Sequence, residues 1–176
     1  MRVKLLYHTD LDALKQVLSG KGVQFEPEDL MDHVVYMFEI EDCSRVTTHQ
    51  LVRHRVASYD QESQRFSAAT KEGVVTPPSI QTNEAAHSAF DEALKTVYSA
   101  YEKMTAAGVP KEDARYILPS AIKTKLVMTI SARSLMHMVW QRTALQAQWE
   151  IRELAVSLQN AAREATPELW TKVIER

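Results

Sequence analysis

The chain has 176 residues, 45% of them hydrophobic and 25% charged, and a formal net charge of -2. This composition is ordinary for a globular domain, and the small negative charge disfavours a general nucleic-acid-binding surface. No apolar run reaches the roughly 18 residues of a membrane span, the N-terminus turns polar too quickly for a signal peptide, and Cys43 is the only cysteine, so we expect one cytoplasmic domain without a disulfide, with Cys43 structural.

The first half of the chain predicts two strands and two helices. Alternating apolar residues indicate the strands, and side chains that can cap a helix mark where helices begin. In chain order we expect a strand over 1–9 with Val3, Leu5 and Tyr7 on one face, a helix over 11–18 capped by Asp10, a helical turn after Pro27, a strand over 33–40 with both faces largely buried, a turn over 41–44, a helix from Arg45 to about Val56 capped by Ser44, and a loop over 59–65.

The second half is predicted to be mainly helical, with one long strand and two short ones. Apolar steps of three and four residues indicate the helices, and strict alternation over 123–131 indicates the strand. We expect short strands over 66–69 and 73–75, a helix over 82–107, a short helix over 110–115, a strand over 123–131, helix over 133–164, and a last short helix from Pro167 that bears Leu169, Trp170, Val173 and Ile174. Strands surrounded by helices predict an α+β domain with a central, mostly antiparallel sheet over residues 1–176.

A cluster of basic and hydroxyl side chains follows the second predicted strand. Arg53, His54, Arg55, Ser63 and Arg65 fall within thirteen positions. The planar donor fork of arginine matches phosphate oxygens, so the cluster suits a bound anion. A solvated basic helix end with a polar turn fits the charges equally well. No glycine-rich phosphate loop and no zinc-ligand spacing is present, so side chains and helix ends would have to hold a nucleotide.

Spacing within the predicted helix separates Arg53 from Arg55. At about 100° per residue, two residues two apart point to nearly opposite sides. Unless the helix frays there, the two guanidinium groups serve two ligands, or one ligand and one neighbouring subunit. The same argument places Arg133 and Arg142 on opposite faces of a straight helix.

The pattern of these residues resembles the signature of the flavin-dependent thymidylate synthases. Arg-His-Arg at 53–55, seven further residues and then Ser63 form that signature, with Gln50 and Arg65 as its flanks. We name residues 50–65 the signature segment. Three later segments are similar to the family as well: 108–119 with Arg115 before Leu-Pro, 132–137, and 147–155. The resemblance covers about residues 31–156.

This resemblance implies a homotetramer of α+β subunits with active sites at subunit interfaces. Such an enzyme methylates dUMP to dTMP, with methylenetetrahydrofolate as carbon donor, NADPH as reductant and FAD as cofactor. No enzyme cysteine attacks the pyrimidine, which agrees with a structural Cys43. Arg142 corresponds to the arginine that stabilises the uracil ring ionised at N3, and it is the predicted catalytic residue.

The resemblance also assigns ligand contacts by position. The residues expected to bind dUMP are Gln50, Leu51, Val52, Arg53, Gln61, Glu62, Ser63, Gln64, Arg65, Arg142 and, from another subunit, Arg115. The residues expected to contact FAD are Arg53, His54, Arg55, Gln61, Ser131, Ala132, Arg133 and His137. No metal is expected.

Some positions depart from the family pattern, which leaves other functions open. Asp60 and Gln61 stand where the family usually has Asn-Glu, and Ser131 stands where asparagine is common. Only Asp32-His33 remains of a flavin-contacting N-terminal loop. An enzyme of the same fold acting on another pyrimidine nucleotide such as UMP is one alternative. A non-enzymatic anion-binding or RNA-binding module is another, although the negative net charge counts against it.

Several other residues are predicted to be structural. His8, His33, His49 and His87 belong to no pattern, and Met128, Met136 and Met138 are expected to pack in the core. Trp140 and Trp149 occupy helical positions where a core role is commoner than a cofactor platform.

Overall fold

The computed structural model describes residues 1–65 and 73–171. Within these ranges the strands are β1 (Arg2–His8), β2 (Val35–Ser44), β3 (Ser58–Gln61) and β4 (Lys123–Ser131). The helices are α1 (Leu11–Gly20), α2 (Pro27–Leu30), α3 (Arg45–Leu51), α4 (Pro78–Gln81), α5 (Glu84–Ala106), α6 (Lys111–Ala114), α7 (Ala132–Arg142) and α8 (Trp149–Ala165), with 3-10 turns at Arg115–Ile117 and Pro167–Trp170.

The strands form one four-stranded sheet in the order β1-β2-β4-β3. β1 pairs with β2 in antiparallel register, so that Val3 lies opposite Ile40 and Leu5 opposite Phe38. The predicted α+β class is confirmed. The chain divides into two compact units, the first comprising Met1–Glu41, His49–Asp60 and Leu126–Arg176, and the second Asp42–Thr48 and Gln61–Lys125. A single domain over residues 1–176 stays a prediction.

The core of the first unit is built on alternating residues of two strands. Their buried side chains, at most 3% exposed, are Tyr36, Phe38, Ile40, Leu126, Met128 and Ile130, and the fully buried Val34 lies just before β2. Burying one such side chain is worth about 1.5–3 kcal/mol. α8 packs on α7 and on β1, and places Leu154 and Leu158 in the same core.

A chain of buried hydrogen bonds ties the end of the first unit to β2. Nε1 of Trp170 donates to the hydroxyl of Tyr36 at 3.1 Å, and that hydroxyl bonds to Oγ1 of Thr166. Oγ1 of Thr166 donates in turn to the carbonyl oxygen of Ala162 at 3.2 Å. The hydroxyl of Tyr36, the hydroxyl of Thr166 and Nε1 of Trp170 each have a hydrogen-bond partner. The two aromatic rings can therefore be buried with little penalty.

The second unit is organised around the long helix α5. Oδ1 of Asn83 accepts the N–H of Ala86 at 3.1 Å and caps the helix, and Tyr98 and Tyr101 are its buried residues. Gly108 follows the C-terminus with φ of 86°, a conformation that glycine adopts without strain. Cys43 is fully buried, in agreement with the structural role predicted for it.

Most predicted elements are present, with small shifts at their ends. The two predicted strands over 1–9 and 123–131, and the helices at 11–18, 82–107 and 110–115, correspond to β1, β4, α1, α5 and α6. Asp10 and Ser44 cap their helices as predicted, since Oδ1 of Asp10 accepts the N–H of Ala13 and Oγ of Ser44 accepts that of Thr47.

Two predictions about strands are wrong because of irregular backbone. The strand face of Val3 and Leu5 does not continue to Tyr7, because the register shifts between Leu5 and Tyr7 and leaves Tyr7 55% exposed. The turn predicted over 41–44 is absent, because β2 runs on to Ser44 with Asp42 at φ of 59°. The polar residues at these positions are typical of turns, so the pattern does not indicate a strand.

The predicted helix over 133–164 is wrong in its middle. α7 ends at Arg142, and α8 begins at Trp149, where Oε1 of Gln148 accepts the N–H groups of Glu150 at 2.9 Å and Ile151 at 3.1 Å. Glutamine is an uncommon cap, so the pattern of residues does not indicate a break here.

Some predictions fall where the structure says little. Over 73–75 the described chain has only an isolated bridge between Val74 and Ile122. The strand predicted over 66–69 and the residues Val173 and Ile174 lie outside the described residues.

Candidate functional site

Arg142, the last residue of α7, is held by two uncharged acceptors in the first unit. Its Nε donates to Nε2 of His54 at 2.9 Å, and its Nη2 donates to the carbonyl oxygen of Gln50 at 3.2 Å. The side chain is half-buried, and its other N–H groups bond to no residue in 1–65 or 73–171. These contacts orient the guanidinium without neutralising its charge, which a ligand can therefore use.

His54 is neutral in this arrangement. Because Nε of arginine can only donate, Nε2 of His54 must accept, and the ring proton must be on Nδ1. The residue is 8% exposed. Burial, together with the positive charge of Arg142, lowers the pKa of His54 to about 4. At neutral pH the ring therefore accepts from Arg142 and can donate from Nδ1.

Tyr59 holds the turn that carries His54. Its hydroxyl lies 2.8 Å from the carbonyl oxygen of Leu51 and 3.1 Å from that of His54, so its one proton is shared. Burial raises the pKa of Tyr59 to about 12, which keeps the hydroxyl protonated as a donor. The side chain of Leu51 is fully buried and anchors the start of the turn.

Arg53 and Arg55 lie in the same turn and are exposed. The helix predicted to reach Val56 ends at Leu51, because the carbonyl groups of Leu51 and His54 bond to Tyr59 instead of continuing the helix. The argument from helical spacing therefore no longer separates the two arginines. Within the described chain, neither guanidinium takes part in an ion pair or a hydrogen bond.

The opposite end of α7 holds the predicted flavin contacts Ser131, Ala132 and Arg133. Oγ of Ser131 caps the helix by accepting the N–H of Ser134 at 3.3 Å, and Ala132 is fully buried. Nε of Arg133 donates to Oδ2 of Asp32 at 2.7 Å, and its Nη2 donates to the carbonyl oxygen of Glu28, also at 2.7 Å. This arginine is thus paired with a carboxylate.

An exposed side of α7 presents two stacked rings. The centroids of His137 and Trp140 are 6.0 Å apart with 26° between the rings, and Nε2 of His137 lies 2.9 Å from Nε2 of Gln141. Trp140 is 46% exposed, so its predicted core role is wrong. It lies about 200° around the helix from the buried Met138, which the pattern of apolar residues did not separate from it.

Gln61, a predicted ligand residue, bonds within the second unit. Its Nε2 lies 3.2 Å from Oγ1 of Thr48 and 3.3 Å from Oγ1 of Thr124, and it donates one proton to each. Gln61 ends β3, which replaces the first part of the loop predicted over 59–65. Both N–H groups of the amide are therefore used in bonds to threonines of the second unit. These bonds hold Gln61, and with it this part of the signature segment, in place.

The rest of the signature segment lies in the second unit, where Glu112 joins two predicted dUMP residues. Nε of Arg65 donates to Oε2 of Glu112 at 2.7 Å, and Nε of Arg115 donates to the carbonyl oxygen of Glu112 at 3.0 Å. Oγ of Ser63 accepts the N–H of Arg65 at 3.2 Å, and Gln64 is half-buried beside them. The second unit therefore brings Arg65 and Arg115 together, as the first unit brings together Gln50, His54 and Arg142.

A family model described as thymidylate synthase complementing protein matches residues 9–168. The chain belongs to this family. The family that the signature predicted is confirmed, and the match extends beyond the predicted 31–156 at both ends.

Curated relatives of this flavin-dependent thymidylate synthase family are similar over most of the chain. The flavin-dependent thymidylate synthase of Geobacter sulfurreducens is 36% identical over 170 residues, which are 91% of this chain and 73% of that protein. That of Pyrococcus furiosus is 44% identical over 132 residues, which are 73% of this chain. The chain spans about half, 54%, of the Pyrococcus protein.

Among solved structures, the fold resembles that of thymidylate synthase X from Helicobacter pylori, whose crystal structure contains FAD and dUMP. The TM-score is 0.78 with full coverage of both chains, and the sequences are 22% identical. At this identity the likeness establishes the family fold. Across the described ranges, none of the helices is both long and apolar enough for a membrane span, and no group of histidine, cysteine or acidic side chains could hold a metal ion.

Two residues with clear roles in this family member were missed from the sequence. Tyr59 shapes the turn at His54, and Arg45 contacts the signature segment, its Nη2 donating to the carbonyl oxygen of Glu62 at 2.8 Å. For Tyr59 the available signal was a tyrosine shortly after a predicted helix end, because a tyrosine hydroxyl needs a hydrogen-bond partner when the ring is buried. Nothing in the sequence distinguished Arg45.

Proposed function

We propose that this chain catalyses the reductive methylation of dUMP to dTMP. Methylenetetrahydrofolate would give the carbon, NADPH would be the reductant and FAD the bound cofactor. The names of the relatives support this activity, and the observation that carries it is the guanidinium of Arg142, oriented by the uncharged His54 ring and the Gln50 carbonyl.

The donor set of the first unit fits FAD. Arg53 and Arg55 expose guanidinium groups that suit a pyrophosphate, and Nδ1 of His54 is left to donate. His137 stacked on Trp140 offers an aromatic surface to a ring system. When bound, FAD passes on the reducing equivalents of NADPH. His54, Arg55, Arg133 and His137 would hold it, with Arg53, Gln61, Ser131 and Ala132 alongside.

The residues proposed for dUMP match a phosphate monoester and a pyrimidine. A phosphate near two negative charges favours arginines, which Arg53, Arg65 and Arg115 supply. Leu51 has a fully buried side chain, so only its backbone can face the nucleotide. The remaining proposed contacts are Gln50, Val52, Glu62, Ser63, Gln64 and Arg142, with Gln61 holding the segment in place.

Arg142 would act on charge that develops in the uracil ring. Reduction at C6 and carbon attack at C5 place negative charge on N3 and the carbonyl oxygens. A guanidinium already oriented there stabilises this charge without reorganising during the reaction. The loss of one such donor typically costs 100- to 1000-fold in rate.

The assembly belongs to the same proposal. We expect a homotetramer whose active sites lie at subunit interfaces, with Arg115 reaching the dUMP of another subunit. Exposed apolar side chains next to Arg115, with Tyr116 85% and Ile117 38% exposed, favour such a contact.

The activity can be tested on the purified protein. It should bind FAD and turn yellow, and with NADPH and methylenetetrahydrofolate it should release tritium from dUMP labelled at C5. Replacing dUMP by UMP is the matched control and should give at least tenfold less release. A protein that stays colourless with excess FAD, or that prefers UMP, would contradict the proposal.

A further inference from the structure

Arg45 joins the start of α3 to the signature segment within the second unit. Its Nη2 donates to the carbonyl oxygen of Glu62 at 2.8 Å, and its backbone N–H donates to the carbonyl oxygen of Ile122 at 3.1 Å. The N–H of Glu62 donates to the carbonyl oxygen of Lys125 at 3.0 Å. Both backbone polar groups of Glu62 are therefore fixed, and Ser63 is the next residue.

The contact of Arg45 is costly for stability. Its Nε is buried without an acceptor in the described part of the chain, and a buried donor left unpaired costs about 1–3 kcal/mol. Burial and the nearby positive charge of Arg115 lower the pKa of the guanidinium, while the negative charge of Glu62 raises it. An apolar side chain of similar length would avoid these penalties, so stability alone does not explain an arginine here.

We infer that Arg45 is a positioning residue that holds the carbonyl of Glu62 and thereby presents Ser63 and Arg65 to the nucleotide. The inference rests on the proposed function, because it concerns the dUMP-binding part of the signature segment. Gln61, the residue before Glu62, fixes the same segment through its hydrogen bonds to Thr48 and Thr124. Arg45 itself makes no contact with the substrate in this account.

The test compares Arg45→Met with Arg45→Lys in steady-state turnover. Methionine has similar length but cannot donate, so KM for dUMP should rise about tenfold, the value of one hydrogen bond to a charged donor. kcat and FAD binding should stay within about twofold, and the melting temperature should be unchanged or higher, because the buried Nε is gone. Lysine can still donate and should restore most of the affinity for dUMP.

Two controls separate positioning from charge. Arg163→Met removes an exposed arginine of α8 and should leave KM for dUMP unchanged. The ratio of KM between Arg45→Met and the wild type should persist at about 0.5 M NaCl, where a Coulombic effect would be screened.

Each other outcome overturns the inference. An unchanged KM, a ratio that vanishes at high salt, or an Arg45→Met protein that unfolds or loses FAD would show that the residue acts through charge or stability. If the wild type itself does not bind dUMP in a calorimetric titration, the proposed function fails, and this inference fails with it. Binding by the wild type with no effect of Arg45→Met overturns this inference alone.

Discussion

The two ends of α7 hold their arginines in opposite ways. At the N-terminal end, Arg133 is paired with the carboxylate of Asp32 and both side chains are at least half exposed. At the C-terminal end, Arg142 is half-buried and bonds to the neutral His54 ring and the Gln50 carbonyl. One guanidinium is neutralised, and the other keeps its charge.

The difference follows from the dipole of the helix. It predicts which of the two arginines can stabilise negative charge on a substrate. A positive charge is unfavourable at a helix N-terminus and favourable at the C-terminus, so Arg133 requires a carboxylate and Arg142 does not. A charge that is fixed in direction but not cancelled is what stabilises a developing anion.

Removal of the Arg142 guanidinium should have the largest effect. In Arg142→Ala, tritium release from dUMP should fall 100- to 1000-fold, because the donor proposed to stabilise the developing charge is lost. FAD binding, followed by the flavin spectrum, should stay within about threefold. Arg163→Ala is the matched control and should behave as wild type. Normal turnover by Arg142→Ala would remove its proposed role.

Replacements of His54 test whether the hydrogen-bond acceptor of Arg142 must be uncharged. His54→Asn and His54→Asp have nearly the same shape, but only the second gives Arg142 the carboxylate partner that Arg133 has. We expect His54→Asp to be about 100-fold slower than His54→Asn in the same assay, because its charge cancels that of Arg142. Equal rates for the two variants would mean that the neutrality of the acceptor does not matter.

The neutral state of His54 should make the fold lose stability in acid. Folding lowers its pKa from 6.5 to about 4, so between these values only the unfolded chain binds the proton. This contribution is complete above pH 6.5 and is lost as the pH falls towards 4, by about 2 kcal/mol between pH 7 and pH 5. Urea unfolding of His54→Asn should show a loss smaller by that amount. An identical loss in both proteins would show that His54 titrates normally.

The ion pair of Arg133 should matter least to stability. Asp32→Asn removes the charge from an exposed pair, and such pairs are worth at most about 1 kcal/mol. The free energy of unfolding should therefore change by less than that amount, whereas the same substitution of a buried partner would cost several times more. A larger loss would contradict the small value expected for an exposed ion pair.

Elements with a regular apolar pattern or a standard cap were predictable, and those bounded by less common side-chain hydrogen bonds were not. The buried faces of β2 and β4 follow from alternation, and Asp10 and Ser44 are standard caps that the structure contains. The break before α8 rests on Gln148, and the end of α3 on Tyr59. Both depend on contacts that a local pattern does not encode.

The candidate site shows the same division. The resemblance to the family named His54, Arg65 and Arg142 as site residues, and their roles stay predictions. The acceptor of Arg142 is 88 positions away in the chain, and that of Gln61 includes Thr124, 63 positions away. Sequence spacing therefore could not show that Arg142 bonds to a neutral ring or that Gln61 is engaged by threonines.

The ionisation of a bound nucleotide analogue tests the role of Arg142 most directly. 5-Fluoro-dUMP bound to the flavin-loaded protein can be titrated by ¹⁹F NMR, since loss of the N3 proton shifts the fluorine signal. The wild type should lower the pKa of N3 below that of the free analogue, and Arg142→Ala should return it to the free value. A wild-type complex in which N3 titrates as it does in free solution would contradict the account.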